Sequence, residues 1–181
     1  VGEVQLGDDV LITGASGGVG MAAIQVAGAM GARVIAATSS PGKVDALRKI
    51  GAADVVVDSE GKLHDRVREL VPGGVDAALE LTGAPTFGSA MRSLRPGGRV
   101  ILVGNIPTEP LKLNPGAAIL YGHQVRGSAG CTRQDLEDVF ALLAAHRMNV
   151  VLDRVLPLEE AAAAHVLLAE RHTIGRVVLT P

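Results

Sequence analysis

The sequence predicts an α/β protein: a doubly wound parallel sheet of six strands in the order 3-2-1-4-5-6, followed by a C-terminal strand-helix-strand appendage. Three observations carry this. Short β-branched runs alternate with helix-period segments from end to end. The connections between them are short and rich in Gly, Pro, Ser and Asp. A glycine-rich turn, Gly14 to Gly20, separates the first apolar run from an alanine-rich helix, Met21 to Met30.

The first strand is expected over Asp9–Thr13 and the second over Arg33–Thr38. Ser40 and Pro41 then offer an N-cap and a proline at the first helical position, Val44, Leu47 and Ile50 form the apolar face, and Gly51 ends the helix. The third strand is Asp54–Asp58, and Leu63, Val67, Leu70 and Val71 follow at helical spacing. The fourth is Val75–Leu81, after which Phe87, Ala90, Met91 and Leu94 recur at i, i+3, i+4 and i+7. Arg95-Pro96-Gly97-Gly98 reads as a turn before a fifth strand, Arg99–Val103, and Gln124–Ser128 is the sixth. Thr132 caps the next helix with Asp135 three positions on, and Leu136, Val139, Phe140 and Leu143 are its expected buried face. The appendage is Val151–Leu156, a helix over Leu158–Glu170, and Arg176–Thr180.

Composition narrows the function classes. The 181 residues suit one domain with an appendage, and 48% of them are apolar, enough for a sizeable core. The formal charge is −2 with no basic run, which argues against nucleic acid or an anionic membrane as partner. No apolar run approaches the ~20 residues of a membrane span, no signal-peptide pattern is visible, and the expected location is cytoplasmic. Cys131 is the only cysteine, so neither an internal disulfide nor a cysteine-rich zinc site is expected; as a lone cysteine it reads as a small buried apolar residue. His64, His146, His165 and His172 fall on expected helices or their ends, in solvated or packing roles, and His123 with Cys131 lacks the spacing of a metal site. The chain starts at Val1 without an initiator methionine, and is read as a piece of a longer or processed polypeptide.

The glycine turn carries the chemistry. A strand, a glycine turn and a helix open a dinucleotide-binding βαβ unit, because the first N–H groups of the helix have no intrahelical partner and its dipole favours an anion. The turn fits two registers: Ala15-x-Gly17-x-x-Gly20, a G-x-G-x-x-G with alanine first, and Thr13-Gly14-x-x-x-Gly18-x-Gly20. The second resembles the short-chain dehydrogenases, whose catalytic Tyr-x-x-x-Lys is missing here, since Tyr121 is followed four positions on by Val125.

The first register explains more. Leu6-Gly7-Asp8-Asp9-Val10-Leu11-Ile12 leading into Ala15–Gly20, Gly31-Ala32-Arg33-Val34-Ile35-Ala36 followed by Lys43 and Gly51-Ala52, Leu94–Val100, and the ending Leu158–Ala162 through Gly175–Leu179 resemble, in order, the medium-chain dehydrogenase/reductase family, especially its quinone oxidoreductase and enoyl reductase branch. The resemblance covers almost the whole chain. It implies that residues 1–148 are the NADP-binding Rossmann domain. It also implies that 149–181 return to a GroES-like substrate domain lying upstream, and that two such sheets join edge to edge in a homodimer.

Ser16, Gly17, Gly18 and Val19 are expected to present backbone N–H groups to a pyrophosphate. An NAD enzyme of this fold carries an acid about 20 residues past the glycines; Thr38, Ser39 and Ser40 stand there instead, with Lys43 just beyond. The resemblance places the NADPH 2′-phosphate at Lys43, so NADP(H) is the expected cofactor. Thr82, Gly104, Asn105 and Ser128, at the ends of the fourth, fifth and sixth strands, are expected to border the ribose and nicotinamide, Asn105 serving either the carboxamide or its own loop. No residue reads as a general acid and none as a metal ligand.

The implied reaction is hydride transfer from NADPH to a quinone or an activated C=C, a small-molecule substrate, with this chain inactive alone. The cofactor domain of a zinc alcohol dehydrogenase and a non-catalytic NADPH-binding module remain open, and a class I methyltransferase is disfavoured by Gly20 and Gly175-Arg176.

Overall fold

Eight strands and seven helices alternate along the chain in a computed structural model that describes residues 2–181. The six-stranded sheet runs β3-β2-β1-β4-β5-β6, all parallel, in the expected order. Its strands are β1 (Asp9–Ile12), β2 (Arg33–Thr38), β3 (Asp54–Val57), β4 (Val75–Glu80), β5 (Leu94–Leu102) and β6 (Gln124–Gly127). The helices are α1 (Gly18–Ala29), α2 (Val44–Lys49), α3 (Leu63–Leu70), α4 (Ala84–Ser93), α5 (Pro115–Tyr121), α6 (Arg133–Ala144) and α7 (Ala161–Ala169). Strands β7 (Leu152–Pro157) and β8 (Arg176–Thr180) pair in parallel as a separate sheet. No described helix is long and apolar enough to cross a membrane.

Parallel strands are buried on both faces, so they read as continuous apolar runs, and β1 and β2 do so here. Alternate residues feed two cores. Leu11, Ile35, Val67, Phe87 and Val100 fill the layer under α3 and α4; Val10, Ile12, Ile24, Val34 and Leu47 fill the layer under α1 and α2. Each fully buried Leu, Ile or Phe contributes roughly 1.5–3 kcal/mol.

Several local expectations change. Helix α1 begins at Gly18, inside the glycine turn, and α2 is preceded by a 3-10 turn, Pro41–Lys43, in which Ser40 is extended but its side chain caps nothing. Strand β5 begins at Leu94 rather than Arg99: Leu94 pairs with Val75, and the Pro-Gly-Gly run is absorbed as a bulge between that pair and Ala77–Arg99. Helix α5 was not expected; Asn114 caps it by accepting from Ala117 N at 3.2 Å. The capping box of Thr132 and Asp135 on α6 is present, but the expected burial of Leu136, Val139, Phe140 and Leu143 is not, since α6 buries no residue and Phe140 is 58% exposed. Periodicity marks which face is apolar, and no second layer of this chain lies against it. Cys131 is likewise exposed, not buried, because the loop before α6 has nothing packed over it.

The appendage lies away from β6. It joins the glycine turn, with a parallel bridge between Gly17 and Gly175 and a hydrogen bond from Gly175 N to Ser16 O (2.9 Å). Edge strand β6 therefore stays open, with three of its four residues exposed, Val125 among them.

Candidate functional site

The carboxyl ends of β1, β4 and β5 meet beside the amino end of α1. Ala15, where the fingerprint has its first glycine, is fully buried, and its N–H donates to Ala37 O (3.1 Å). Gly20 is required by close approach: a Cβ there would stand 2.5 Å from Ala15 O. Helix and strand thus pack backbone on backbone, which brings the start of α1 up to the crevice. Gly17 is the N-cap, with no side chain capping α1 and no acid in its first turn, so the site favours an anion. Of the four expected pyrophosphate residues, Gly17 and Val19 are exposed and Ser16 and Gly18 half-buried.

The tertiary structure adds a cation that the sequence did not disclose. Arg176 opens β8, and a Cβ on Gly18 would lie 2.6 Å from Arg176 Cγ and 3.1 Å from its Nε. The guanidinium stem therefore lies across the first turn of α1. Gly175 holds it there: its φ is +83°, and a side chain would run into the Val151 carbonyl. The only sequence signal was a glycine before an arginine at the head of the last strand.

Lys43 is buried, and its ammonium donates to the carbonyls of Arg171 (2.7 Å) and Thr173 (2.8 Å). Burial pushes it below the ordinary lysine range, against the opposing pull of the Asp153 carboxylate. Sequence reasoning treated it as a cation reaching only toward the end of β2; the structure also makes it the tie between that end and the appendage. Around it, Thr38 is buried with its hydroxyl accepting from Ser40 N (3.2 Å), and Ser39 is exposed.

A second feature missed in the sequence is Glu80, which is fully buried at the end of β4. Its Oε1 accepts from Thr82 N (2.8 Å), Gly83 N (2.9 Å), Thr86 Oγ1 (2.7 Å) and Thr13 Oγ1 (2.9 Å). Thr13 in turn accepts from Leu81 N (3.0 Å), and the Glu80 carbonyl accepts from Val103 N (3.0 Å) and Gly104 N (3.1 Å). One residue therefore binds together the ends of β1, β4 and β5 and the first turn of α4. A buried carboxylate is tolerated only with this many donors.

Thr82, Gly104 and Asn105 are gathered on that knot. Asn105 packs on Gly83 and donates to Glu109 O (3.3 Å). Ser128 joins them from the end of β6, its N–H donating to Leu102 O (2.9 Å). No group of three or more His, Cys, Asp or Glu among the described residues is arranged to hold a metal ion.

Comparison with known proteins agrees with this geometry. The family model described as zinc-binding dehydrogenase matches residues 18–145. The acryloyl-coenzyme A reductase of Metallosphaera sedula is 37% identical over 96% of this chain, which covers 51% of that protein. The crystal structure of AibC superposes with a TM-score of 0.92 at 42% identity, over 99% of this chain and 51% of that one. The Escherichia coli quinone oxidoreductase, crystallised with NADPH, gives a TM-score of 0.88 at 26% identity, over 99% of this chain and 59% of that one. The chain thus spans about half the length of the relatives it matches.

Proposed function

The chain belongs to the medium-chain dehydrogenase/reductase family, in its quinone oxidoreductase and acryloyl-CoA reductase branch, and from that premise we propose that it is the NADPH-binding half of an oxidoreductase reducing a quinone or an activated C=C. The observation that supports this reading best is the uncapped start of α1, with Arg176 lying over Gly18. A helix N-terminus and a guanidinium on one spot suit a pyrophosphate. The absence of an acid at Thr38-Ser39-Ser40, with the Lys43 ammonium just behind, favours a 2′-phosphate over a free 2′-hydroxyl. The solved quinone oxidoreductase that carries NADPH points the same way.

When bound, NADPH supplies the hydride. The chain's own residues bind and orient it: Ser16, Gly17, Gly18, Val19 and Arg176 at the pyrophosphate; Thr38, Ser39, Ser40 and Lys43 at the adenosine end; Thr82, Gly104, Asn105 and Ser128 around the nicotinamide ribose. The substrate pocket belongs to a preceding domain, GroES-like as in the family, to which residues 149–181 return. The open edge of β6 joins a second copy in a C2 dimer. In that arrangement Val125→Pro, which removes an edge donor, disrupts the dimer.

Titrating the chain with NADPH and NADH by calorimetry tests the cofactor reading. Tighter binding of NADPH is expected, and a preference for NADH overturns it.

A further inference from the structure

Glu80 is fully buried, so it does not itself meet a ligand in the crevice, yet Thr82, Gly104 and Asn105 are all set through it. The Thr82 N–H donates to Oε1 (2.8 Å), and the Gly104 N–H donates to the Glu80 carbonyl (3.1 Å). Gly83 donates to the same Oε1 (2.9 Å) and has φ +99°. A Cβ on Gly83 would run into the Asn105 side chain and stand 3.0 Å from its Cα. Asn105 therefore rests on backbone that Glu80 holds, and its own amide donates to Glu109 O (3.3 Å).

Two further segments hold the carboxylate in turn. Thr13 Oγ1 donates to it from beyond the end of β1 (2.9 Å). Thr86 Oγ1, in the first turn of α4, lies 2.7 Å from Oε1 and 2.9 Å from Oε2. Helix α4 has no side-chain cap and no acid in its own first turn, so the Glu80 carboxylate takes the anion-attracting end of that helix. The adenosine end is built separately. Its hydrogen bonds run from Ser40 N to Thr38 Oγ1 and from Lys43 Nζ to the Arg171 and Thr173 carbonyls, away from Glu80.

We propose that Glu80 is a positioning residue for the nicotinamide half of the cofactor. It fixes the ends of β4 and β5 against β1, so that the nicotinamide riboside is held in one place, while the adenosine half does not depend on it. The proposal rests on the cofactor reading above. It adds that the two halves of the crevice are separable, and that one buried side chain, in contact with no ligand atom, governs only one of them.

The experiment is calorimetry of the chain with NADPH and with adenosine 2′-phosphate 5′-diphosphate, which is the same molecule without its nicotinamide riboside. The readout is the ratio of the two dissociation constants. Any unfolded fraction weakens both ligands by one factor, so lost stability cancels in the ratio. The unaltered chain is expected to bind NADPH more tightly than the truncated ligand. Glu80→Gln keeps the shape but exchanges an acceptor oxygen for a donor, and is expected to reduce the NADPH advantage by about three- to tenfold. Thr86→Val, which removes one donor to the carboxylate, moves the ratio in the same direction, and Thr86→Ser restores it. The proposal alone is overturned if Glu80→Gln weakens both ligands by the same factor, if neither variant moves the ratio, or if the unaltered chain binds the two ligands equally. An unaltered chain that binds neither ligand overturns the cofactor reading and this proposal with it.

Discussion

The sheet from β3 to β5 and the half that begins at β6 use the same apolar alphabet with opposite results. Leu11, Ile35 and Val100 are sealed between two helical layers, whereas Ile119, Leu120, Val125 and Phe140 are exposed, Ile119 at 81%. The appendage behaves like the second group, with Val150, Val155 and Val166 about half exposed. An amphipathic pattern states that a face is apolar; burial needs a second surface, and here the chain supplies one only to β1 through β5. The apolar faces left open are contiguous in sequence with the proposed dimer edge and with the proposed return to a preceding domain. Exposed patches of this kind mark interaction sites.

The largest expected effect lies in the sealed half. Glu80→Ala strands two backbone N–H groups and two hydroxyls, and should cost about 2–5 kcal/mol in urea unfolding, with Glu80→Gln recovering part of it. A loss no greater than that of a surface substitution would end the view of Glu80 as the knot of the crevice. At the junction of the two halves, Arg176→Ala should weaken NADPH by about 1.5–3 kcal/mol in calorimetry while leaving the unfolding midpoint nearly unchanged. An unaltered affinity would show that the guanidinium does not meet the pyrophosphate.

In the open half, Phe140→Ser should change monomer stability by no more than about 0.5 kcal/mol, because the ring is already in water. A loss of several kcal/mol would mean that α6 is packed after all. The smallest effect is acid lability of the appendage. Burial pushes the Asp153 carboxyl up, but the Ile174 N–H (2.8 Å) and Arg154 bring it below the usual range. Its contribution is therefore complete above the unfolded value near pH 3.9 and is lost as pH falls through the depressed folded value. Amide protection at Ile174 should drop below about pH 4 before protection at Leu11 does; simultaneous loss would show that the two halves open as one.

The sequence by itself determined the sheet order, the position of the glycine turn and the identity of β6 as the edge. Each follows from local period and the short connections that parallel strands demand. It also placed Thr82, Gly104, Asn105 and Ser128 at strand ends, because strand ends can be read from where an apolar run stops. Tertiary structure alone decided what those ends do to one another. Thr13 and Glu80 are 67 residues apart, Lys43 and Thr173 are 130 apart, and Gly18 meets Arg176 from the far end of the chain. None of these pairs has a spacing to recognise: a buried carboxylate looks like any strand-end acid, and a lysine tied to two carbonyls looks like a surface lysine. Their roles come from desolvation and from donors brought in by other segments, and these exist only once the layers have closed.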